Sequence, residues 1–292
     1  MLIQRDRPYI RYLILAALLA VNTGVRGQAQ SQPPGAAPAA TSEPDAAEQK
    51  RILADATEYV INHEINLPNF ICTQITRRFE DATGKNAWRP IDIIVERLTY
   101  FEHKEDYRVV ELNGRPSSLP HNQLHGASSS GEFGSVMKGI FAPDSEAEFT
   151  WQSGFTLRGR KMHVYSYSVR ANRSSYHVVL PEQSIDFKAA YHGLIFVDSR
   201  KHFIHRITLH ADGIPPSFPV QDISLALDYE YTRIGDTDYL LPLTFELRSR
   251  EGNVFIKNDV DYEDYRKFGS DTNIRFGESE APAPKNGAPG VK

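Results

Sequence analysis

The chain has 292 residues, with 37 acidic and 33 basic side chains, a formal net charge of -4, and 40% hydrophobic and 11% aromatic residues. That balance offers no electrostatic case for binding nucleic acid or an anionic membrane surface, both of which attract basic patches. With Cys72 as its one cysteine it excludes an internal disulfide, and a buried, inert thiol is expected there.

The first thirty residues, "MLIQRDRPYIRYLILAALLAVNTGVRGQAQ", place Arg5, Arg7 and Arg11 before an apolar run from Leu13 to Val21 and end in small and polar residues. This is the pattern of a secretory signal over residues 1–29, with Gly27-Gln28-Ala29 as a small-x-small cleavage site. The run is shorter than the roughly 20 apolar residues of a permanent anchor. No cysteine follows it to carry a lipid. Removing residues 1–29 takes away Arg5, Arg7, Arg11, Arg26 and Asp6, which moves the formal charge from -4 to -7. An exported protein, periplasmic or extracellular, is the expectation.

Residues 30–47, rich in Pro, Ala, Gln and Ser, read as a disordered linker, and residues 270–292, ending "GESEAPAPKNGAPGVK", as a disordered tail. Between them, 48–269 shows no composition break and is long enough for one domain with a substantial core. From Asp45 to Ile65, Ile52, Leu53, Ala56, Tyr59, Val60 and His63 recur at helical spacing after the capping stretch "SEPD". The helix is expected to stop at Leu67-Pro68, since a residue before proline is pushed out of the helical region.

After that the period is two. "ISLALDYEYTR" and "LPLTFELRS" alternate apolar and polar residues, and "IGDTDY" and "SREGNV" supply hairpin turns. Further strands are expected over 70–80, 91–102, 106–113, 147–157, 161–171, 174–180, 187–198, 202–211 and 254–266. The fold class is therefore mainly β (α+β). About eleven antiparallel strands must curl into a barrel, a half-barrel or a sandwich to hide their apolar faces. Pro242 inside a regular strand marks an edge or a bulge. Residues 114–146 form a Gly/Ser-rich excursion whose helical part, 134–141, brings Val136, Met137, Ile140 and Phe141 against the concave face, either as a lid or as a plug.

"GLIFVDSRKHFIHRITL" is similar to the recurrent Gly-apolar-apolar-Asp hairpin of the periplasmic lipoprotein-carrier and outer-membrane lipoprotein-sorting (LolA/LolB-like) half-barrel families. The following strand reads onto Phe203, Ile204, Arg206 and Ile207. "YLLPLTFEL" and "VDYEDYRKF", with Tyr262 and Tyr265, resemble the closing strands of that group. The resemblance spans residues 190–268, and covers the first half only in the order of its elements. It implies a curled sheet with helices over its mouth and an apolar cavity for acyl chains, a lipoprotein or a signalling partner. The chain departs from the pattern in its greater length, its extra aromatic residues and the lack of a matching gating arginine.

Hydrolytic or metal chemistry needs partners fixed about 3 Å apart. His205 shares a strand face with Phe203, Ile207 and Leu209, whereas His202 and His210 lie opposite it and roughly 26 Å apart along an extended strand, so no common ion is expected. Asp198 sits at the turn, where aspartates bond backbone amides. "GASSSGEFGS" lacks the hydrolase elbow and the phosphate-loop ending. His121 and His125 with Glu132 are the remaining candidates for a base or a metal site. Asp259, Asp261 and Asp264 lack the glycine and glutamate of a calcium loop.

Phe101, Tyr107, Trp151, Phe155, Tyr165, Tyr167, Phe187 and Tyr191, with Met137, Ile140 and Phe141 of the insertion, are the expected ligand-binding lining of one concave face, which serves as core and cavity together. The reading is a non-enzymatic binding protein for a lipid, lipoprotein or other apolar ligand in the cell envelope. It is expected to have no cofactor, metal or nucleic-acid partner, and only indirect membrane contact. Two alternatives stand beside it: a secreted metal-dependent hydrolase using His121, His125 and Glu132, and an envelope sensor or scaffold that binds a protein through an edge strand near Pro242.

Overall fold

The computed structural model describes residues 12–13, 43–124, 126–128, 132–180 and 185–268, with backbone alone at 12–13, 63–65 and 127–128. Apart from 12–13 and 43–47, the expected signal, linker and tail lie outside the described residues. Helix α1 spans Ala46–Asn66 and opens where Asp45 accepts a hydrogen bond from the Glu48 amide at 2.8 Å, satisfying a donor that the first helical turn leaves without a partner. It ends at an extended Leu67, ahead of Pro68. Ile52, Ala56 and Val60 make its buried stripe, spaced four apart.

In chain order the strands are β1 (Tyr12–Leu13), β2 (Phe70–Asp81), β3 (Arg89–Phe101), β4 (Lys104–Leu112), β5 (Arg115–Pro116), β6 (Ala127–Ser128), β7 (Glu148–Leu157), β8 (Arg160–Val169), β9 (His177–Leu180), β10 (Ile185–Lys188), β11 (Ala190–Asp198), β12 (Ile204–Asp212), β13 (Val220–Ile234), β14 (Thr237–Glu251) and β15 (Val254–Lys267). Eleven of them form one antiparallel sheet in the order β5-β4-β3-β2-β15-β14-β13-β12-β11-β8-β7. The end strands β5 and β7 do not pair, so the sheet is an open half-barrel. The last strand, β15, pairs with the first long one, β2, from Phe255–Asp81 to Lys267–Phe70. That long-range pairing places the first and last long strands side by side in mid-sheet.

One expectation changes, and of the two alternatives at Pro242 the bulge is the one seen. The segments 174–180 and 187–188 leave the main sheet: β9 and β10 pair with each other, and with β1 and β6 they form a separate ribbon ordered β10-β9-β1-β6. The cause is the turn after β8, where the Arg173 amide bonds the Arg170 carbonyl at 2.9 Å and redirects the chain before β9 begins. Pro242 is not at an edge, because β14 runs between β13 and β15. It sits at a register shift where Asp228 faces Thr244 but Tyr229 faces Pro242, and this bulge accommodates the missing amide.

The insertion supplies α2, Ser135–Phe141, which ends just ahead of Pro143. All four expected apolar residues, Val136, Met137, Ile140 and Phe141, are buried there. Helices α1 and α2 pack with the inward residues of the sheet into one core that includes Phe70, Leu98, Tyr165, Ile195, Leu227 and Phe245. A small second cluster, Leu157, Met162, Val164 and Phe196, sits apart from it.

Candidate functional site

The dense hairpin of 193–210 has structural work. The Asp198 Oδ1 accepts hydrogen bonds from the Arg200 and Lys201 amides, each at 2.8 Å, which fixes the turn. His202 Nδ1 lies 2.6 Å from Asp55 Oδ2 and so joins the hairpin to α1, while Tyr59 stacks on Phe203 at 4.0 Å. His205 is buried against Tyr231, with its Nδ1 3.3 Å from the Tyr229 carbonyl. His210 lies ring to ring with His192 at 5.3 Å, and His192 in turn bonds Asp212. The three imidazoles have separate partners and do not converge. Burial pushes the pKa values of His163 and His205 down, because a charged imidazole is poorly solvated there.

The expected aromatic lining mostly converges. Tyr165, Tyr167, Tyr191, Met137, Ile140 and Phe141 are buried in the main core, and Tyr107, Trp151 and Phe187 pack against it partly buried. Phe101 and Phe155 are corrections, at 42% and 46% exposure. Phe101 follows the inward Tyr100 and so turns outward, where it meets Phe268. Phe155 follows a register shift between Trp151 and Ser153 that reverses the alternation and sends its ring to Phe196 of the second cluster.

Helix α2 is pinned rather than merely laid on the sheet. Tyr229 donates to the Glu132 carbonyl at 3.0 Å, just before the helix, and Tyr191 donates to the Gly139 carbonyl at 2.8 Å. A Cβ at Gly139 would stand 2.9 Å from Ser175 Oγ, so glycine permits this close approach. Along the helix runs an open groove of about 440 Å³. Val136, Ala142, Tyr176, Tyr191 and Leu209 give it an apolar floor, and Lys138, Asp144, Arg173 and His177 a polar rim. Burial raises the hydroxyl pKa values of Tyr167 and Tyr191 beneath, which keeps both phenols neutral donors.

A second, small cavity of about 40 Å³ lies under the other part of the insertion. Gln74, Thr76 and Arg78 of β2, Glu96 of β3 and Asn258 of β15 line it, together with His121 and Glu132 from the insertion. The registers Gln74–Glu96 and Arg78–Asn258 bring these strand residues side by side. Glu96 accepts from Gln74 Nε2 at 3.3 Å, its other oxygen is 2.7 Å from His121 Nδ1, and His121 stacks on Tyr107 at 5.0 Å. Arg78 forks onto Asp92 at 2.6 and 2.5 Å. The Tyr107 hydroxyl, donating to Glu105 at 2.6 Å, is pushed up by burial first and then by the charge of Glu132.

Of the hydrolase candidates, His121 and Glu132 meet at this cavity, and His125 lies outside the described residues. Among the described residues no group of three or more His, Cys, Asp or Glu side chains is disposed to hold a metal. His121 and Glu96 form an oriented imidazole–carboxylate pair. Asp259 bonds Lys257 at 2.6 Å, and Asp261 pairs with Arg77. Cys72 is buried and its thiol is pushed well up by burial, which makes it a poor nucleophile. The polar row of Gln74, Glu96 and Asn258 was missed in the sequence, although each stands at an inward position of an alternating strand.

No family model and no curated protein matches the chain. Among solved structures it is similar to a LolA superfamily protein from Nitrosomonas europaea, at 12% identity and a TM-score of 0.34 over 75% of this chain and 93% of that one. It is also similar to an outer membrane lipoprotein-sorting protein domain from Vibrio parahaemolyticus, at 9% identity and a TM-score of 0.36 over 76% and 94%. A third is the lipoprotein LppX of Mycobacterium tuberculosis, at 8% identity and a TM-score of 0.27 over 74% and 95%. At such values the half-barrel assignment rests on this chain's own strand order. No described helix is long and apolar enough to cross a membrane.

Proposed function

We propose that the protein is an exported, non-enzymatic binding module that holds the apolar part of a lipid, lipoprotein or similar amphipathic ligand in the groove beside α2. The observation that carries this is the groove itself, a space of about 440 Å³ with an apolar floor and a charged rim. That volume lies within the range of about 300–1,000 Å³ typical of ligand pockets. The floor is set by residues of the buried core and α2, so it is largely formed before a ligand arrives. The N-terminal basic-apolar-small pattern supports export.

The test is a thermal melt of delipidated protein with and without oleate. A ligand bound only by the folded form at 100 times its Kd stabilises by about 2.7 kcal/mol, and the melting temperature must rise. Ala142→Trp fills the groove from a partly exposed position and should abolish the rise while leaving the ligand-free melt in place. A melt that oleate and phospholipid leave unmoved sinks the reading.

A further inference from the structure

We propose that the turn between β7 and β8 and the turn between β11 and β12 form a docking surface for the anionic face of a phospholipid membrane, with a headgroup phosphate held in the basic hollow between them. The surface stands apart from the groove at α2 and does not rest on it. The hollow measures about 350 Å³ and is lined by Arg160 and Lys161 after the first turn and by Asp198, Ser199, Arg200 and Lys201 at the second. Pairing of β8 with β11 sets Met162 beside Asp198, and the Ser199 amide bonds the Lys161 carbonyl at 2.9 Å, so the two turns are tied together.

The charge of the hollow is positive with every partner counted. Lys161 and Arg200 are exposed, and their side chains make no hydrogen bond or ion pair with any described residue. Lys201 lies over the ring of Tyr231 at 4.9 Å, a phenol that leaves its charge uncompensated. Arg160 is bonded to Glu230 at 2.8 Å. Arg158 shares Glu230 and Asp228, and Arg206 is also on Asp228, so three guanidiniums meet two carboxylates there. Asp198 is the one carboxylate of the lining, and its Oδ1 is taken by the Arg200 and Lys201 amides. Crediting Glu230 wholly to Arg160, and setting Asp198 against one lysine, still leaves two positive charges. No histidine lines the hollow, so the sign holds across neutral pH. Unpaired cations around one space suit a phosphate, whose several oxygens accept from Lys and Arg together.

The neighbouring surface selects a membrane as the bearer of that phosphate. Phe155 is 46% exposed, and the registers Phe155–Met162 and Met162–Asp198 place it two strand spacings, about 10 Å, from Asp198. A bare aromatic ring beside basic side chains fits the headgroup layer, where rings settle and each cation near an anionic surface adds attraction. The chain as a whole carries a net charge of -4, which opposes contact elsewhere and leaves this face to set the orientation.

The experiment spins the full chain with vesicles of phosphatidylcholine, with and without phosphatidylglycerol, and titrates inorganic phosphate by calorimetry. Co-sedimentation is expected with the phosphatidylglycerol vesicles alone, falling as salt rises. Lys161→Gln and Arg200→Gln should each lower it by about five-fold, and together by about 25-fold. Neither side chain has a partner to lose, so the vesicle-free melt should stay in place. Lys85→Gln, at an exposed lysine of the β2–β3 turn at the opposite end of the sheet, should change nothing. Phe155→Ser spares every charge and should weaken binding too. Equal binding to phosphatidylcholine, an equal loss with Lys85→Gln, or a partition unmoved by the double substitution or by Phe155→Ser would overturn the proposal. So would heat with inorganic phosphate and no co-sedimentation, which would make the hollow a site for a soluble anion.

Discussion

Replacing Gly193 with alanine probes how closely β11 and β12 approach. A Cβ at Gly193 would lie 1.9 Å from the Thr208 carbonyl oxygen, 1.1 Å inside the 3.0 Å that real Cβ atoms keep, and its next neighbours are also backbone. No side chain can swing aside to make room, so a strand must move. That carbonyl accepts the Tyr167 hydroxyl at 2.8 Å, and Tyr167 is the cross-strand neighbour of Gly193 on β8. The Leu194 amide is satisfied by Thr208 Oγ1 at 2.8 Å in the same spot. Overpacking costs about 1–3 kcal/mol and the phenol hydrogen bond about 1 kcal/mol, so Gly193→Ala should lose about 2–4 kcal/mol. Urea unfolding with an unchanged m-value measures it, and Tyr167→Phe, losing about 1 kcal/mol, separates the hydrogen bond from the clash. A Gly193→Ala protein within about 0.5 kcal/mol of wild type would refute the close approach.

Three further outcomes are expected. Ile140→Ala on α2, a fully buried site, should cost about 2–5 kcal/mol in the same assay; a loss below about 1 kcal/mol would mean α2 is not packed on the sheet. Asp228 holds Arg206 at 2.6 Å and Arg158 at 3.1 Å while nearly buried. Asp228→Ala should therefore cost about 3 kcal/mol or more, against less than about 1 kcal/mol for Asp238→Ala in the exposed pair with Arg233. For pH, the depressed pKa values of His163 and His205 mean that the unfolded chain binds their protons more readily than the folded one. Stability is thus complete above the ordinary histidine range near 6.5 and declines as pH falls through it. Urea midpoints at descending pH check this, and a decline that is no shallower in His163→Gln would contradict His163's share.

The sequence shows the local rules and hides the long-range ones. Asp45, Pro68, the alternation of β13 and β14 and the Asp198 turn are each settled by residues within a few positions, and they stand where chain chemistry puts them. The pairing of β15 with β2 is not local, and alternation says only that a segment is extended, not which neighbour it takes. For the same reason β9 and β10 read as members of the main sheet. Phe155 shows a subtler limit, since one bulge reverses every later residue and nothing in "WQSGFTL" announces it. The burial of most of the apolar residues could be read because hydrophobic side chains declare themselves. The polar cavity could not, because Gln74, Glu96 and Asn258 look like ordinary wet-face residues until the register places them inward together.

Hydrogen–deuterium exchange of delipidated protein, before and after addition of oleate, tests the ligand groove most directly. Exchange should slow in α2, residues 135–141, and around Tyr176 and His177 on the opposite wall, while the outer-face strand ends near Phe155 and Phe196 stay unchanged. Protection absent from both walls of the groove, or confined to the outer face, would contradict the proposed binding role.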